Sequence, residues 1–559
     1  MEDKKEFSFD LKSYTLPETK RSKDVLPVVY PEIARNKGGV DFDIYDYEML
    51  FNDEGTKKII REGDTIGCFY IESPGMRSLL KKLDCDNFEL LTAASSVIRP
   101  GVAESGMMQE FILRHKDPKR RKYLLPQLKD ILGETYGVMI YQEDVLKVAN
   151  KVAGLTLEEA DLLRRAMSGK MRSHNAMQQI ESRFFESCRE KGYNEYVIKE
   201  LWRQIESFAG YAFCKAHSAS FALLSYQVAY LKVHFPAEFL SSVLSNGGGY
   251  YAPAVYIQEA KRLGIKILLP CVNNSLVEYT GYDKEIRIGF LAIKGLRNKT
   301  AEKIVEERNS GGEYKSLLDF LLRVKPGYED TYLLIKIGAM QCFNKTRPAL
   351  MRLLDIYIKH RRILDTDYFN LFEDESLELE RLAHTDVEYS VEEICAAEYE
   401  LFDFMITKHP LNFFEKFVNL PQIVKAADMS KFAAKSIKMI GWYMASKRIK
   451  TKSDKIMKFL SLEDLTGTFE AVIFPKEYEL YAELTVSMGP YYIQGTVDAE
   501  GGNSIIVEKM AILSAKNVKA VTLRDSTENN YFGDVERVDE SEFNMVNVLD
   551  QEKLRQAYL

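Results

Sequence analysis

The stretch T-L-E-E-A-D-L-L-R-R-A-M-S-G-K, residues 156–170, reads as a helix that carries its own start signal. Thr156 and Glu159 have capping-box spacing, in which hydroxyl and carboxylate each accept a backbone N–H from the other's position, and Leu155 and Ala160 are placed as the hydrophobic staple. Leu162, Arg164, Arg165 and Met167 then ride on the helix. Just upstream, YQEDVLKVANKVAG (141–154) is a second helical run that ends with Gly154 in the C′ position. Downstream, NEYVIKELWRQIESFAG (194–210) ends the same way near Gly210. Helices separated by short glycine turns predict a mainly helical region over 63–245.

Outside that region the pattern changes. After NGGG (246–249) a helix over 253–263, an apolar IKILLP strand, the strand RIGFLAI (287–293) and helices from Thr300 onward predict a smaller mixed unit, 246–345. Residues 346–430 begin basic and helical and turn strongly acidic over 373–403, the composition switch of a tether. From 431 to 515 the period drops to two, in KSIKMIGWYMASKRIK, KIMKFLSLED, FEAVIF, YYIQGTVDAE and SIIVEKMAI, with the helix PKEYELYAEL before the fourth strand. Five strands with that insert predict an OB-type barrel. Residues 1–62, polar and punctuated by proline and glycine, predict an irregular lead-in, and 516–559 form a polar, acidic tail. The fold class is therefore multidomain α+β, as expected for 559 residues at about 100–200 per domain.

Composition narrows the function. With 46% hydrophobic and 11% aromatic residues the chain is globular, and 76 basic against 83 acidic residues, a net charge of −7, excludes a uniformly basic nucleic-acid coat but not a local basic channel. The seven cysteines fall singly and the seven histidines are scattered, which argues against a zinc or histidine-built metal centre and for reduced thiols in the cytoplasm. Ser218 to Leu231 is the most apolar run, fourteen uncharged residues against the ~18 needed to span a bilayer, so no membrane partner is expected.

Chemistry-bearing residues cluster in a few places. Arg164, Arg165, Lys170 and Arg172 put four cations within nine residues, suited to a polyphosphate, although a solvated helix face looks similar. Lys215 and His217 stand at the start of an apolar helix in FAGYAFCKAHSASFALLSYQ (208–227). Arg114, Lys116, Lys119, Arg120, Arg121 and Lys122 form a dense basic loop that fits a nucleic-acid backbone. IRIGFLAIKGLRNKTAEKIVEER (286–308) has the makings of a helix-hairpin-helix, with Lys294, a Gly295 turn that admits a phosphate, and Arg297 where such a hairpin usually has its second glycine. In the barrel, Trp442, Tyr443, Phe459, Phe469, Tyr491 and Tyr492 are aromatics of which one or two would be exposed for base stacking, and Trp442 and Tyr443 are the candidates. A small-molecule enzyme is disfavoured, because the sequence has no nucleophile–base pair, dinucleotide fingerprint or P-loop.

Taken in order, GCFYIESPGMRSLLKKL (67–83), SSVIRPGVAESGMM (95–108), ETYGVMIYQEDVLKVA (134–149), EEADLLRRAMSGK (158–170) and ESFAGYAFCKAHSASFALLSYQ (206–227) resemble the bacterial DNA polymerase III alpha subunit. KVHFPAEFL, the hairpin region and IKIGAM continue the resemblance, which runs roughly from Asp41 to Leu513. It implies the fingers, the helix-hairpin-helix region and the OB domain of a DNA-directed DNA polymerase, a nucleotidyltransferase of replication or translesion repair synthesis. The partners implied are primer–template DNA and an incoming dNTP. By the same resemblance Arg164 and Arg165 hold the triphosphate with Lys170 nearby, and Lys215 and His217 match the fingers' K-x-H and line the nucleotide or primer end.

The family's histidine-rich PHP domain and the palm, whose carboxylates hold two Mg²⁺, are not recognised in the sequence. The ligands of those ions are therefore expected outside this chain, on a separate palm-bearing chain, and the chain alone is expected to bind without extending. Asp41 and Asp43 have D-x-D spacing but lie too close to the fingers to be the catalytic pair, and Phe9-Asp10-Leu11 leaves Asp10 as the one catalytic candidate, an echo of the family's third aspartate. Leu371 and Phe372 end a degenerate sliding-clamp peptide in which tyrosine replaces the usual glutamine. The chain also stops shortly after the barrel, as in the shorter, error-prone type of this polymerase. The alternative is a non-catalytic scaffold or repair module that binds DNA through the hairpin and the barrel.

Overall fold

The computed structural model describes residues 43–98, 106–167, 174–206, 214–359, 381–451, 453–499 and 503–513. The chain divides after Asp46. Of the first unit only residues 43–46 are described, a turn closed by the Asp46 N–H on the Asp43 carbonyl at 2.9 Å. The second unit, from Tyr47 on, holds the elements that follow.

Its first part is helical because the sequence caps its helices locally. Ser73 starts Pro74–Leu83, with proline at the first helical position, and the Asn87 side chain accepts the Leu90 N–H at 2.8 Å to start Phe88–Val97. The capping box at Thr156 is formed: Glu159 accepts the Thr156 N–H at 2.7 Å and Thr156 Oγ1 accepts the Glu159 N–H at 3.2 Å, opening Leu157–Met167. Gly154, at φ +80°, supplies the left-handed turn before it. The run before that glycine is α-helical only over Gln142–Lys147 and widens into a π turn over Val148–Val152.

The long helix Lys215–His234 is the axis of this part. It packs on Phe88–Val97, Glu54–Arg61 and Pro236–Ser245, and Ala222, Tyr226 and Ala229 are fully buried along it. Leu80, Leu91, Met139, Val148, Leu163, Phe184 and Leu201 share the same core. Burying each such side chain contributes roughly 1.5–3 kcal/mol against exposure.

A second core gathers Val272, Ile288, Phe290, Ile304, Phe320, Leu334 and Leu353, and a small sheet borders both cores, with Ile286 in the first and Ile267 packed against each. There β1 (Lys266–Leu268) runs parallel to β3 (Glu285–Arg287), and β2 (Thr280–Tyr282) lies antiparallel on β3's other side. RIGFLAI is not a strand throughout its length. It leaves the sheet at Gly289, where a Cβ would stand 2.2 Å from the Glu278 carbonyl, and closes into a 3-10 turn over Phe290–Ala292. Helices Asn298–Gly311, Leu317–Val324, Tyr328–Lys336 and Arg347–Lys359 follow.

The barrel is closed and five-stranded, in the order β4-β5-β6-β8-β7, from β4 (Ser436–Lys450), β5 (Ile456–Glu463), β6 (Thr468–Ile473), β7 (Tyr491–Val497) and β8 (Ser504–Ile512). All ladders are antiparallel except β6 with β8, where Glu470 faces Ser504. The helical insert Pro475–Tyr481 falls between the third and fourth strands, as the sequence predicts. Strict alternation of burial along β6 and β7 shows period-two patterning filling the barrel.

Trp442 requires a correction. It is only 6% exposed and lies with Leu411, Phe414 and Phe417 in a cluster outside the barrel, so no base can stack on it. The cause is the segment 410–418, which folds over the outer face of β4 and covers what an isolated barrel would expose. Tyr443 is half-buried, its hydroxyl 3.3 Å from Ser446 Oγ, and Phe469 and Tyr491 are core residues.

Candidate nucleic-acid interface

Arg164 and Arg165 sit in the last turn of Leu157–Met167, where their side chains converge on one carboxylate. Arg164 reaches Asp161 at 2.8 Å and Arg165 reaches it at 2.7 Å, and the Arg165 side chain is 61% exposed. The hydrogen bond from Arg164 is the first reason the Asp161 carboxyl is held below its ordinary range. One carboxylate between two guanidiniums leaves a net positive, oriented pair that can accept an anion in bidentate fashion. Lys170 and Arg172 lie outside the described residues.

Lys215 and His217 open the long helix. The Lys215 N–H donates to both oxygens of Glu143 at 3.0 and 2.9 Å, and its ammonium lies 5.6 Å from the centre of the Tyr141 ring while pairing with Glu134. The His217 ring packs on Phe221 at 4.4 Å between centroids. Glu143 belongs to Gln142–Lys147, which packs against the helix of Arg164 and Arg165, so that short helix touches both cationic groups, the second through the Lys215 N–H.

The basic loop divides in two. Arg114 spends its guanidinium on Glu110 at 2.7 Å and on the carbonyls of Lys122 and Tyr136, and Arg121 donates to the Arg114 and His115 carbonyls while stacking 4.3 Å over Tyr136. For these two, the expected place on a DNA backbone is corrected to that of loop staples, because their donors are already engaged by backbone carbonyls and, for Arg114, by Glu110. Lys116, Lys119, Arg120 and Lys122 remain exposed.

In the hairpin unit Gly295 adopts φ +83°, the left-handed conformation the turn requires. Arg297 has φ −72°, so this position needs no glycine here. Its guanidinium pairs with Asp330 at 2.9 Å, and the Asp330 carboxyl, 2% exposed, also accepts the Thr300 hydroxyl. Arg297 thereby ties Asn298–Gly311 to Tyr328–Lys336 while most of its side chain faces solvent. Lys294 is exposed and paired with Asp403.

A basic edge escaped the sequence reading. Lys447, Arg448, Lys450 and Lys455 are exposed around the β4–β5 hairpin, where the registers Lys447 to Phe459 and Arg448 to Lys458 hold them on the outer end of the ladder. The run S-K-R-I-K-T-K-S-D-K (446–455) carried that signal but was read only for its strand period.

Among the described residues no group of three or more His, Cys, Asp or Glu side chains could hold a metal ion. The described residues therefore do not fit a two-Mg²⁺ site. Asp10, Asp41, Leu371 and Phe372 lie outside the described residues, while Asp43 accepts the Tyr45 N–H at 2.9 Å. No helix among the described residues is long and apolar enough to cross a membrane.

Comparison with known proteins gives this geometry a setting. A family model described as the bacterial DNA polymerase III alpha subunit finger domain matches residues 25–192, and a helix-hairpin-helix motif model matches residues 264–350. The chain is 33% identical over 482 residues to the DNA polymerase III subunit alpha of Staphylococcus aureus, covering 85% of this chain and 44% of the relative. It is 32% identical over 500 residues to the protein of the same name from Saccharopolyspora erythraea, covering 85% of this chain and 42% of that one. The chain thus spans less than half the length of these relatives. With finger region, hairpin unit and barrel in one chain, it belongs to the bacterial DNA polymerase III alpha-subunit family.

Proposed function

We propose that this chain serves DNA-directed DNA synthesis by binding the incoming dNTP and the primer–template. In this reading Arg164 and Arg165, with Lys170, hold the triphosphate, and Lys215 and His217 border the nucleotide or primer end. The exposed members of the 114–122 loop, Lys294, Gly295 and Arg297 at the hairpin, and the β4–β5 edge follow the duplex backbone. Phosphoryl transfer is mostly positioning and neutralisation of charge on a polyanion, which cations oriented on helices supply. The Mg²⁺-holding carboxylates come from a palm outside the described residues, on this polypeptide or a partner chain. Clamp binding through Leu371 and Phe372, translesion repair synthesis, a cytoplasmic location and the domain limits at 245, 345 and 430 belong to the same proposal.

The observation that carries the reading is the arginine pair converging on Asp161 in a segment matched by the finger-domain family. The test is titration of the 559-residue chain with a fluorescent dNTP. A charge-assisted hydrogen bond contributes about 1.5–3 kcal/mol, so Arg164→Ala or Arg165→Ala should weaken binding roughly 10- to 100-fold. Primer–template binding that survives with no arginine-dependent dNTP binding would reject the nucleotide role and leave a DNA-binding scaffold.

A further inference from the structure

The cysteines differ sharply in setting. Cys68, Cys85, Cys188 and Cys395 are buried, and burial raises all four thiols, that of Cys68 to about 12 and those of Cys188 and Cys395 to about 11. Cys214, Cys271 and Cys342 are half-exposed, and two of these meet. Cys271 follows Pro270 just beyond β1, and Cys342 lies in the 3-10 turn Gln341–Phe343 that follows the hairpin helices. The Val272 N–H donates to the Ala339 carbonyl at 2.9 Å, which holds the two segments side by side and lets the Cys271 and Cys342 thiols act on one another.

The surroundings of Cys271 are those of a nucleophilic thiolate. The Asn274 side-chain amide lies 3.3 Å from its sulfur, and Arg287, anchored on the Leu269 carbonyl at 3.2 Å, adds positive charge. The hydrogen bond from Cys342, then those from Asn273 and Asn274, and the field of Arg287 hold the Cys271 thiol well below its ordinary range against burial. Cys342, as the donor, is pushed up. A half-exposed thiolate beside a second thiol is the arrangement of an attacking and a resolving cysteine.

We propose that Cys271 and Cys342 form a peroxide-responsive thiol pair whose disulfide ties together the two ends of the helix-hairpin-helix unit. The Cys271 thiolate attacks a peroxide oxygen, the O–O bond breaks, and hydroxide leaves and is protonated to water. Sulfur is oxidised to a sulfenic acid and the peroxide is reduced. The Cys342 sulfur then attacks the Cys271 sulfur, the S–O bond breaks, and the departing hydroxide takes the Cys342 proton as a second water. Two thiols and one hydrogen peroxide thus give one disulfide and two waters. The closed loop spans residues 272–341, which contain the Gly295 turn and the Arg297–Asp330 pair.

The test uses the full chain, reduced, treated with hydrogen peroxide, denatured, alkylated and mapped by mass spectrometry. The alkylatable thiols should fall from seven to five, with peptides containing Cys271 and Cys342 joined, and dithiothreitol should restore all seven. In Cys342→Ser the joined peptide should vanish and dimedone should trap a sulfenic acid at Cys271. A second measurement needs no variant: in the native reduced chain at pH 7, Cys271 should alkylate at least about tenfold faster than the half-exposed Cys214. Seven free thiols after peroxide, a disulfide between other cysteines, or alkylation of Cys271 no faster than Cys214 would each overturn the proposal.

Discussion

Glu463→Gln is the substitution that should loosen the barrel most. Glu463 ends β5, is 2% exposed, and receives Arg262 at 2.8 Å and the His409 ring at 3.4 Å. Arg262 also pairs with Glu259 at 3.1 Å, and Glu259 with Lys232 of the long helix at 2.7 Å. One buried chain of alternating charges therefore ties the helical part to the barrel. Two unit charges 2.8 Å apart attract by about 6 kcal/mol at an effective dielectric near 20, before the cost of dehydrating them. Removing one partner strands the other, and breaking a buried pair typically costs about 3–5 kcal/mol.

Trp442, cross-strand partner of Glu463, provides the reporter once Trp202→Phe removes the other tryptophan. With a urea slope of roughly 1–3 kcal/mol per molar, Glu463→Gln should lower the midpoint of the Trp442 transition by about 1–5 M. Replacing both partners, Arg262→Met with Glu463→Leu, should cost clearly less than the two single changes together, because no buried charge is left unpaired. Acid gives a second readout. Against burial, Lys232 and Arg262 hold Glu259 down to about 2, and His409 and Arg262 hold Glu463 below its ordinary range. Their stabilisation is complete above the unfolded carboxylate value of about 4.3 and is lost as pH falls below it, for Glu259 toward 2. A midpoint shift under about 0.3 M for Glu463→Gln, or strict additivity in the double variant, would refute the tie.

Two further outcomes are expected. Gly295→Ala should destabilise the hairpin unit by about 1–2 kcal/mol, read as a lower urea midpoint, since φ +83° strains any Cβ and the new methyl would sit 3.3 Å from Leu333. Glu470, pushed up to about 7 by burial despite Arg77, Lys447 and Lys82, should favour the fold below about pH 4.3 and lose that contribution as pH rises through 7; Glu470→Gln should flatten this dependence and stabilise the chain at pH 8 by about 1 kcal/mol, measured by urea titration at both pH values.

Much of the architecture was legible because its causes are local. The Thr156–Glu159 cap, the turn glycine at 154, the positive φ at Gly295 and the period-two strands each depend on residues a few positions apart, so spacing alone reveals them. The arginine pair on Asp161 is equally local, set by i,i+3 and i,i+4 geometry on one helix. Trp442 shows the opposite case: it stands among six barrel aromatics whose exposure the sequence leaves undecided, and only the fold brings 410–418 over it. Arg114 and Arg121 look like free cations in the sequence, and only the fold sets the Tyr136 carbonyl beside Arg114 and the Tyr136 ring beneath Arg121.

The sequence by itself determined most helical and strand segments and which carry cationic chemistry, but not that residues 54–61 of the lead-in are helical or that RIGFLAI leaves the sheet at Gly289. Tertiary structure alone decided which cations stay in solvent, which are consumed by buried partners, and which thiols meet. Arg262 and Glu463 are 201 positions apart, and no local spacing rule reaches that far. Helix and strand periods act over a few residues, whereas pairing of buried charges and thiols depends on where the two cores and the barrel set distant backbones against one another.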